Sequence, residues 1–569
     1  MSSSHPVLTS RWAANSRAPR RFWQIIPLAL IHLAALIVMV RIEYHEFPYI
    51  AAYLLFWGLL NFAWIAILRR PAAAAALSLT IVVVLILVSQ YKYRVLWMTA
   101  DFVDLLIINP AALRYLFTIF PGLGVHVLIT AAVVVPILAL LWLFDPFRMS
   151  RRHAFAGFGV SLSGLVGLSL LFPFDPHDGF YPDKHVSHFA RSGVDAVGQY
   201  FSRGLLESDA FTPDRLGTAA EATCEPAAKP PHIILVHDES AFDIRTAPNV
   251  IAPPGYGRHF RSLDGVHRKF VVETAGGSSW YTEYNVLTGL SARSFGRFSY
   301  FVTRIAVGRV TRGLPSVLRR CGYRTFSLYP AYGAFMSARK FQSTAGVQRF
   351  YDSNALRAND IEPDDYYYDT AARMFARERA GGPMFMFIYL SANHHPWDYG
   401  WRHELTLGWK NPGNTQLVDE YLRRQTLGMR HYQEFLERLK RDFPGESFLL
   451  IRYGDHQPDF APAILEPSLK PTEVAQRIMV NHPKYFTTYY AIDTVNYKPA
   501  TMASAIDNVE APYLPLILLE AAGLPLDSTF AEQKKIFGRC RGLFYTCAGG
   551  AEARRFNRML IDAGWIKGL

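Results

Sequence analysis

Residues 273–290 read "ETAGGSSWYTEYNVLTGL": two glycines, two serines, then an amphipathic helical pattern. Three other stretches share a design of apolar residues running into polar ones: "HIILVHDES" at 232–240, "MFMFIYLSANHHP" at 384–396 and "SFLLIRYGDHQPD" at 447–459. They end in Glu239, in His394 with His395, and in Asp455 with His456. Carboxylate, imidazole and a serine hydroxyl form a mixed O/N ligand set that suits Mn²⁺ or Zn²⁺ better than a thiolate-seeking ion. A metal on a serine oxygen lowers the hydroxyl's pKa and neutralises charge on a phosphoryl oxygen. A helix starting at Ser279 would add backbone donors for phosphate. The chemistry called for is attack of serine on a phosphorus centre through a covalent intermediate. Taken singly, Ser279 is most simply a helix N-cap, Glu239 a loop acid, and His394 and His395 hydrogen-bonded loop residues. Ser278 stands beside Ser279 as an alternative nucleophile. The order is what favours the joint reading, because a glycine-flanked hydroxyl lies between the first and second of three buried strands that end in ligands.

These groups need a scaffold. Short apolar strands alternate with helical patterns such as "VDEYLRRQTLGMRHYQEFLERLKRDF", which implies a mostly parallel α/β sheet flanked by helices. Ligands of such sheets bind beyond the carboxyl ends of the strands. Upstream, five apolar runs at about 23–41, 48–68, 72–90, 124–144 and 155–173 approach the ~20 residues that cross a bilayer. Nine basic residues (Arg11, Arg17, Arg20, Arg21, Arg69, Arg70, Arg148, Arg151, Arg152) flank one side of these runs and four (Arg41, Lys92, Arg94, Arg114) the other. That asymmetry puts the N-terminus in the cytoplasm and everything after about 174 outside it. The expected organisation is a five-helix transmembrane domain over 1–173, with interfacial amphipathic helices at about 95–121. A linker over 174–230, an α/β domain over 231–525 and a C-terminal extension over 526–569 follow.

The net charge of +12 is partly this asymmetry, and with no zinc-finger spacing or arginine-rich tract it does not call for nucleic acid. All four cysteines (Cys224, Cys321, Cys540, Cys547) fall in the exported part, where an even count suggests disulfides. Cys540 with Cys547 closes a short loop and is the favoured pair.

The ordered motifs resemble those of the lipoteichoic acid synthase branch of the alkaline phosphatase and sulfatase superfamily, which includes phosphoglycerol transferases and has phosphoethanolamine transferases as more distant relatives. "LVHDES" resembles that branch's strand ending in Gly-Glu-Ser. "GGSSWYTEY" resembles Gly-x-x-Thr-Ser-x-Ser-Glu-Phe, "NHHP" resembles Asn-His-aromatic-Pro, and "YGDHQ" resembles Tyr-Gly-Asp-His. The resemblance implies one divalent ion, Mn or Zn, on Glu239, Ser279, Asp455 and His456. Ser279 would be the nucleophile, and His394 an acid, base or phosphate contact. It also implies a phospholipid donor at the membrane, a glycan or lipid acceptor in the periplasm, and a bacterial inner-membrane location. Serine stands where those transferases usually carry threonine, and His395 replaces an aromatic residue. Where the lipoteichoic enzymes offer His, Trp and Arg to the head group, this chain has Tyr329, Met336 and Ala338, with Arg339 one step away. His395, Tyr329 and Arg339 are therefore expected as contacts of an altered head-group pocket. A hydrolase that releases the head group to water shares the first half-reaction, and a non-catalytic binding protein is the third reading.

Overall fold

A computed structural model describes residues 18–43, 46–96, 98–107, 117, 122–173, 179, 182–216, 224, 229–358 and 361–569. The chain divides into two compact units, Met1–Phe102 with Pro121–Asp195, and Val103–Phe120 with Ala196–Leu569.

The first unit holds five helices long and apolar enough to cross a membrane. They are α1 (Ala18–Ile42), α2 (Phe47–Leu68), α3 (Pro71–Leu96), α4 (Leu123–Phe144) and α5 (Arg151–Leu171). Small residues let α2 and α5 approach closely. A Cβ at Gly58 would lie 2.7 Å from Ser161 Oγ, and one at Gly164 would lie 2.7 Å from Leu55 Cδ2. Helices in lipid associate through such packing, because burial from water drives nothing there. Of the amphipathic stretch expected at 95–121, the described part includes a 3₁₀ helix, Phe102–Ile107; residues 108–116 and 118–121 lie outside the described residues. The segment expected as a linker carries helix α6 (His185–Arg203), whose Val186, Phe189, Ala190 and Ala196 are buried.

The second unit is built on an eight-stranded sheet: β1 (His232–Asp238), β2 (Arg268–Val271), β3 (Arg324–Leu328), β4 (Arg349–Tyr351), β5 (Met384–Tyr389), β6 (Phe448–Gly454), β7 (Thr487–Val495) and β8 (Asn508–Glu510). Their spatial order is β4-β3-β5-β1-β6-β7-β2-β8. Only β7 runs antiparallel to its neighbours. The central strands are apolar on both faces, as a covered parallel sheet requires. Ile233, Leu235, Phe385, Phe387, Leu449 and Ile451 enter one core; Ile234, Val236, Met386, Ile388 and Leu450 enter the other. Helix α7 (Trp280–Thr288) packs Tyr284, Val286 and Leu287 into the first core. Continuing the strand alternation, His237 and Tyr453 point to that same face. The C-terminal extension joins it too, through Phe530, Ile536, Phe556 and Leu560.

All four cysteines are paired, Cys224 with Cys321 across 97 residues and Cys540 with Cys547 across 7. On the chain-entropy model the long loop is worth about 4.7 kcal/mol and the short one about 2.4 kcal/mol. Thermal unfolding of serine pairs therefore has an expected order. Cys224→Ser with Cys321→Ser should lower Tm by roughly twice as much as Cys540→Ser with Cys547→Ser, and equal losses would refute the loop-length account.

Candidate active site

Register and alternation bring the strand ends together. In the parallel β1–β6 pair His237 lies opposite Tyr453 and Asp238 opposite Gly454, so Glu239 and Asp455 leave adjacent strands at the same level. The chain reaches Ser279 through a tight turn after β2, with φ of 71° at Gly276, 154° at Gly277 and 62° at Ser278. A Cβ at Gly276 would sit 3.2 Å from the Asp459 backbone, and no L-residue adopts that φ without strain. Ser279 then occupies the N-cap position of α7, but its side chain makes no capping hydrogen bond. The buried hydroxyl turns instead toward the strand ends, 3.1 Å from His456 Nε2 and 3.4 Å from Glu239 Oε2. Ser278 is half-buried.

His456 Nε2 also lies 3.3 Å from Asp455 Oδ2 and 3.5 Å from Glu239 Oε1. Its Nδ1–H donates to the Gln457 carbonyl at 2.8 Å, which leaves the Nε2 lone pair directed into the site. Asp455 Oδ1 accepts from the Ser240 and His456 amides at 2.7 and 2.8 Å, which fixes the carboxylate and orients Oδ2. Four donors on a tetrahedron with bonds of about 2.1 Å stand about 3.4 Å apart. The four separations of 3.1–3.5 Å among Glu239, Ser279, Asp455 and His456 have that spacing. The residues present therefore fit a divalent ion. The electrostatics agree. Burial first, and then the charge of Asp455, push Glu239 up to about 8. For Asp455 burial works upward, but the His456 and His237 imidazoles outweigh it and hold the carboxyl well below the usual range. Two carboxylates buried side by side both ionise only with positive charge between them.

The histidines after β5 sit on a braced loop. Asn393 donates to the Glu239 carbonyl at 3.5 Å and accepts from Trp397 Nε1 at 3.2 Å. His394 donates Nδ1–H to the His395 carbonyl at 2.6 Å, and burial lowers its pKa, so the ring is neutral near pH 7. His395 lies 3.4 Å from Asp459; burial takes the imidazole down to about 4 and the carboxyl up to about 6. From helix α8 (Gln416–Asp442), Arg424 donates to the carbonyls of His394, Pro396 and Tyr399 at 3.0, 2.9 and 3.1 Å. Arg423 and Arg424 share one buried counter-charge, Glu420, at 2.8 and 2.6 Å.

Two expected pocket residues are committed elsewhere. Tyr329 is 4% exposed, packed against Phe350 and Tyr389, so its ring belongs to the core and is not presented to a ligand. The Arg339 guanidinium is taken up by Asp352 at 2.6 Å and the Phe350 carbonyl at 3.0 Å. Two features went unread in the sequence. The buried Glu420–Arg423–Arg424 cluster hides in an ordinary amphipathic pattern. His237 is one of a group, with Glu239 and Asp455, whose ligand atoms lie within 4.8 Å of one another. Its signal was available, since in a strand the i, i+2 spacing of His237 and Glu239 puts both on one face.

Residues 268–491 match the family model described as Sulfatase, and that stretch holds Ser279, His394, Asp455 and His456. No curated protein sequence matches the chain. Among solved structures, the lipoteichoic acid synthase LtaP from Listeria monocytogenes is similar at 16% identity and a TM-score of 0.39, over 58% of this chain and 78% of that one. The Streptococcus pyogenes phosphoglycerol transferase GacH, in complex with sn-glycerol-1-phosphate, aligns at 15% and 0.45 over 60% and 87%. The integral membrane lipooligosaccharide phosphoethanolamine transferase EptA from Neisseria meningitidis aligns at 11% and 0.42 over 83% and 95%.

Glu420→Gln leaves two buried guanidiniums without a counter-charge, a loss on the order of 3–5 kcal/mol. The expected result is a lower Tm together with altered fluorescence of Trp397 and Trp401, which lie on the braced loop. An unchanged Tm would show that the cluster does not hold the loop.

Proposed function

We propose that a chain joining five apolar helices to a sulfatase-family domain is a metal-dependent transferase held in the bacterial inner membrane. It would take a phospho-head-group, phosphoglycerol or phosphoethanolamine, from a phospholipid and pass it to a glycan or lipid hydroxyl on the periplasmic side. The observation that carries this reading is the placement of Ser279 Oγ. It stands at a helix N-terminus without capping it, and it faces one imidazole and one carboxylate that also meet each other.

Glu239, Ser279, Asp455 and His456 would hold the cation. When bound, it supplies Lewis acidity, acidifying the serine hydroxyl and drawing charge from a phosphoryl oxygen. In the first half-reaction Ser279 Oγ forms a bond to phosphorus and the bond from phosphorus to the diacylglycerol oxygen breaks. The serine proton ends on that leaving oxygen. In the second, the acceptor oxygen bonds to phosphorus, the Ser279 Oγ–phosphorus bond breaks, and the acceptor's proton returns to the serine. His394, neutral at pH 7 and with Nδ1–H already donated, offers Nε2 as the base that takes the proton from the incoming hydroxyl. The N-terminus of α7, at Ser279, would turn the positive end of its dipole toward the same phosphoryl group. Five apolar helices suit a donor that resides in a bilayer.

Intact-mass analysis after incubation with Mn²⁺ or Zn²⁺ and a lipid extract, without acceptor, tests the mechanism. The expected product is one adduct on Ser279, with a mass that identifies the head group. It should be absent from Ser279→Ala and retained by Ser278→Ala. Adduct decay that requires an added glycan or lipid hydroxyl marks a transferase; equal decay in water alone marks the hydrolase. An unmodified wild-type protein with metal supplied would overturn both.

A further inference from the structure

We infer that His237 is a ligand of the same cation through Nε2, so that the site has five protein donors, not four. The inference rests on the metal-dependent reading above and concerns a residue outside the four motif ligands. His237 is fully buried. Its ring is held on three sides: Nδ1 lies 2.8 Å from the Tyr453 hydroxyl, Tyr389 stacks on it at 3.8 Å and 20°, and Phe387 meets its edge at 6.0 Å. Donation of Nδ1–H to Tyr453 would leave Nε2 its lone pair, the arrangement in which an imidazole binds a metal.

The contact of Nε2 with Asp455 is informative in its geometry. The two atoms approach to 3.1 Å, within range of an ion pair, yet His237 Nε2 and Asp455 Oδ2 are both buried without a hydrogen-bond partner. Two ligands of one ion behave this way: they crowd together because each points at a third position. In a five-donor trigonal bipyramid with bonds of about 2.1 Å, neighbouring donors stand about 3.0 or about 3.6 Å apart. His237 Nε2 stands 3.1 Å from Asp455, within that interval, and the donor atoms of His237, Glu239 and Asp455 lie within 4.8 Å of one another. A second imidazole also shifts the donor set toward nitrogen, favouring Zn²⁺, Co²⁺ or Mn²⁺ over Mg²⁺.

X-ray absorption of the full-length, untagged protein in detergent, loaded with one equivalent of Zn²⁺, counts the imidazoles directly. Two are expected in the wild type and one in both His237→Gln and His456→Gln. Glutamine keeps an amide N–H that could still donate to Asp455, so a residue acting only by orienting that carboxylate would leave the His237→Gln spectrum unchanged. A wild-type count of one would overturn the inference, and this count stands even if His237→Gln fails to fold. If the wild type retains no zinc on dialysis, the metal-dependent function itself fails, which is a different outcome from a bound ion with a single imidazole.

Discussion

Two carboxylates, Glu239 and Asp455, are buried at the ends of neighbouring strands in the middle of the sheet, and everything around them compensates for that. Backbone amides of Ser240 and His456 hold one oxygen of Asp455. Imidazoles of His237 and His456 stand against the other. The hydroxyls of Ser240 and Ser279 address Glu239. The amides and hydroxyls carry no net charge, and a divalent ion among these donors would balance both carboxylates. It also explains why the serine hydroxyl is found pointing inward when the helix it begins would accept it as a cap.

The sheet delivers this arrangement through parity. Residues of β1 and β6 with odd numbers face the core under α7, and the run Ile233, Leu235, His237 passes without a break from packing to chemistry. The same holds for Leu449, Ile451 and Tyr453, which lead to Asp455. A one-residue slip of either strand would turn Glu239 or Asp455 to the opposite face. The continuous apolar character of both faces prevents such a slip only in part; the partner aromatic residues Tyr389 and Tyr453, fitted around His237, specify the register more closely. The histidine loop is placed differently, by buried guanidiniums that satisfy its carbonyls from helix α8.

The five apolar helices, the strands ending in Glu239, His394 and Asp455, and the long helix over 416–442 were legible because each is a local pattern of length, polarity and period. The Cys540–Cys547 pair was legible for the same reason, being a short loop. Cys224–Cys321 was not, since it joins segments 97 residues apart. Tyr329 and Arg339 misled because an ungapped comparison of residue types carries no burial: one ring lies in the core and one guanidinium already has its carboxylate.

By itself, then, the sequence determined which residues could act, since side-chain chemistry and strand or helix period are properties of a few neighbouring positions. Which of them meet was decided only in three dimensions. The Ser279 hydroxyl beside His456, His237 beside Asp455, and the cluster of Glu420, Arg423 and Arg424 against the His394 loop all depend on register, backbone direction and burial. Those arise between segments tens to hundreds of residues apart, and no local pattern encodes them.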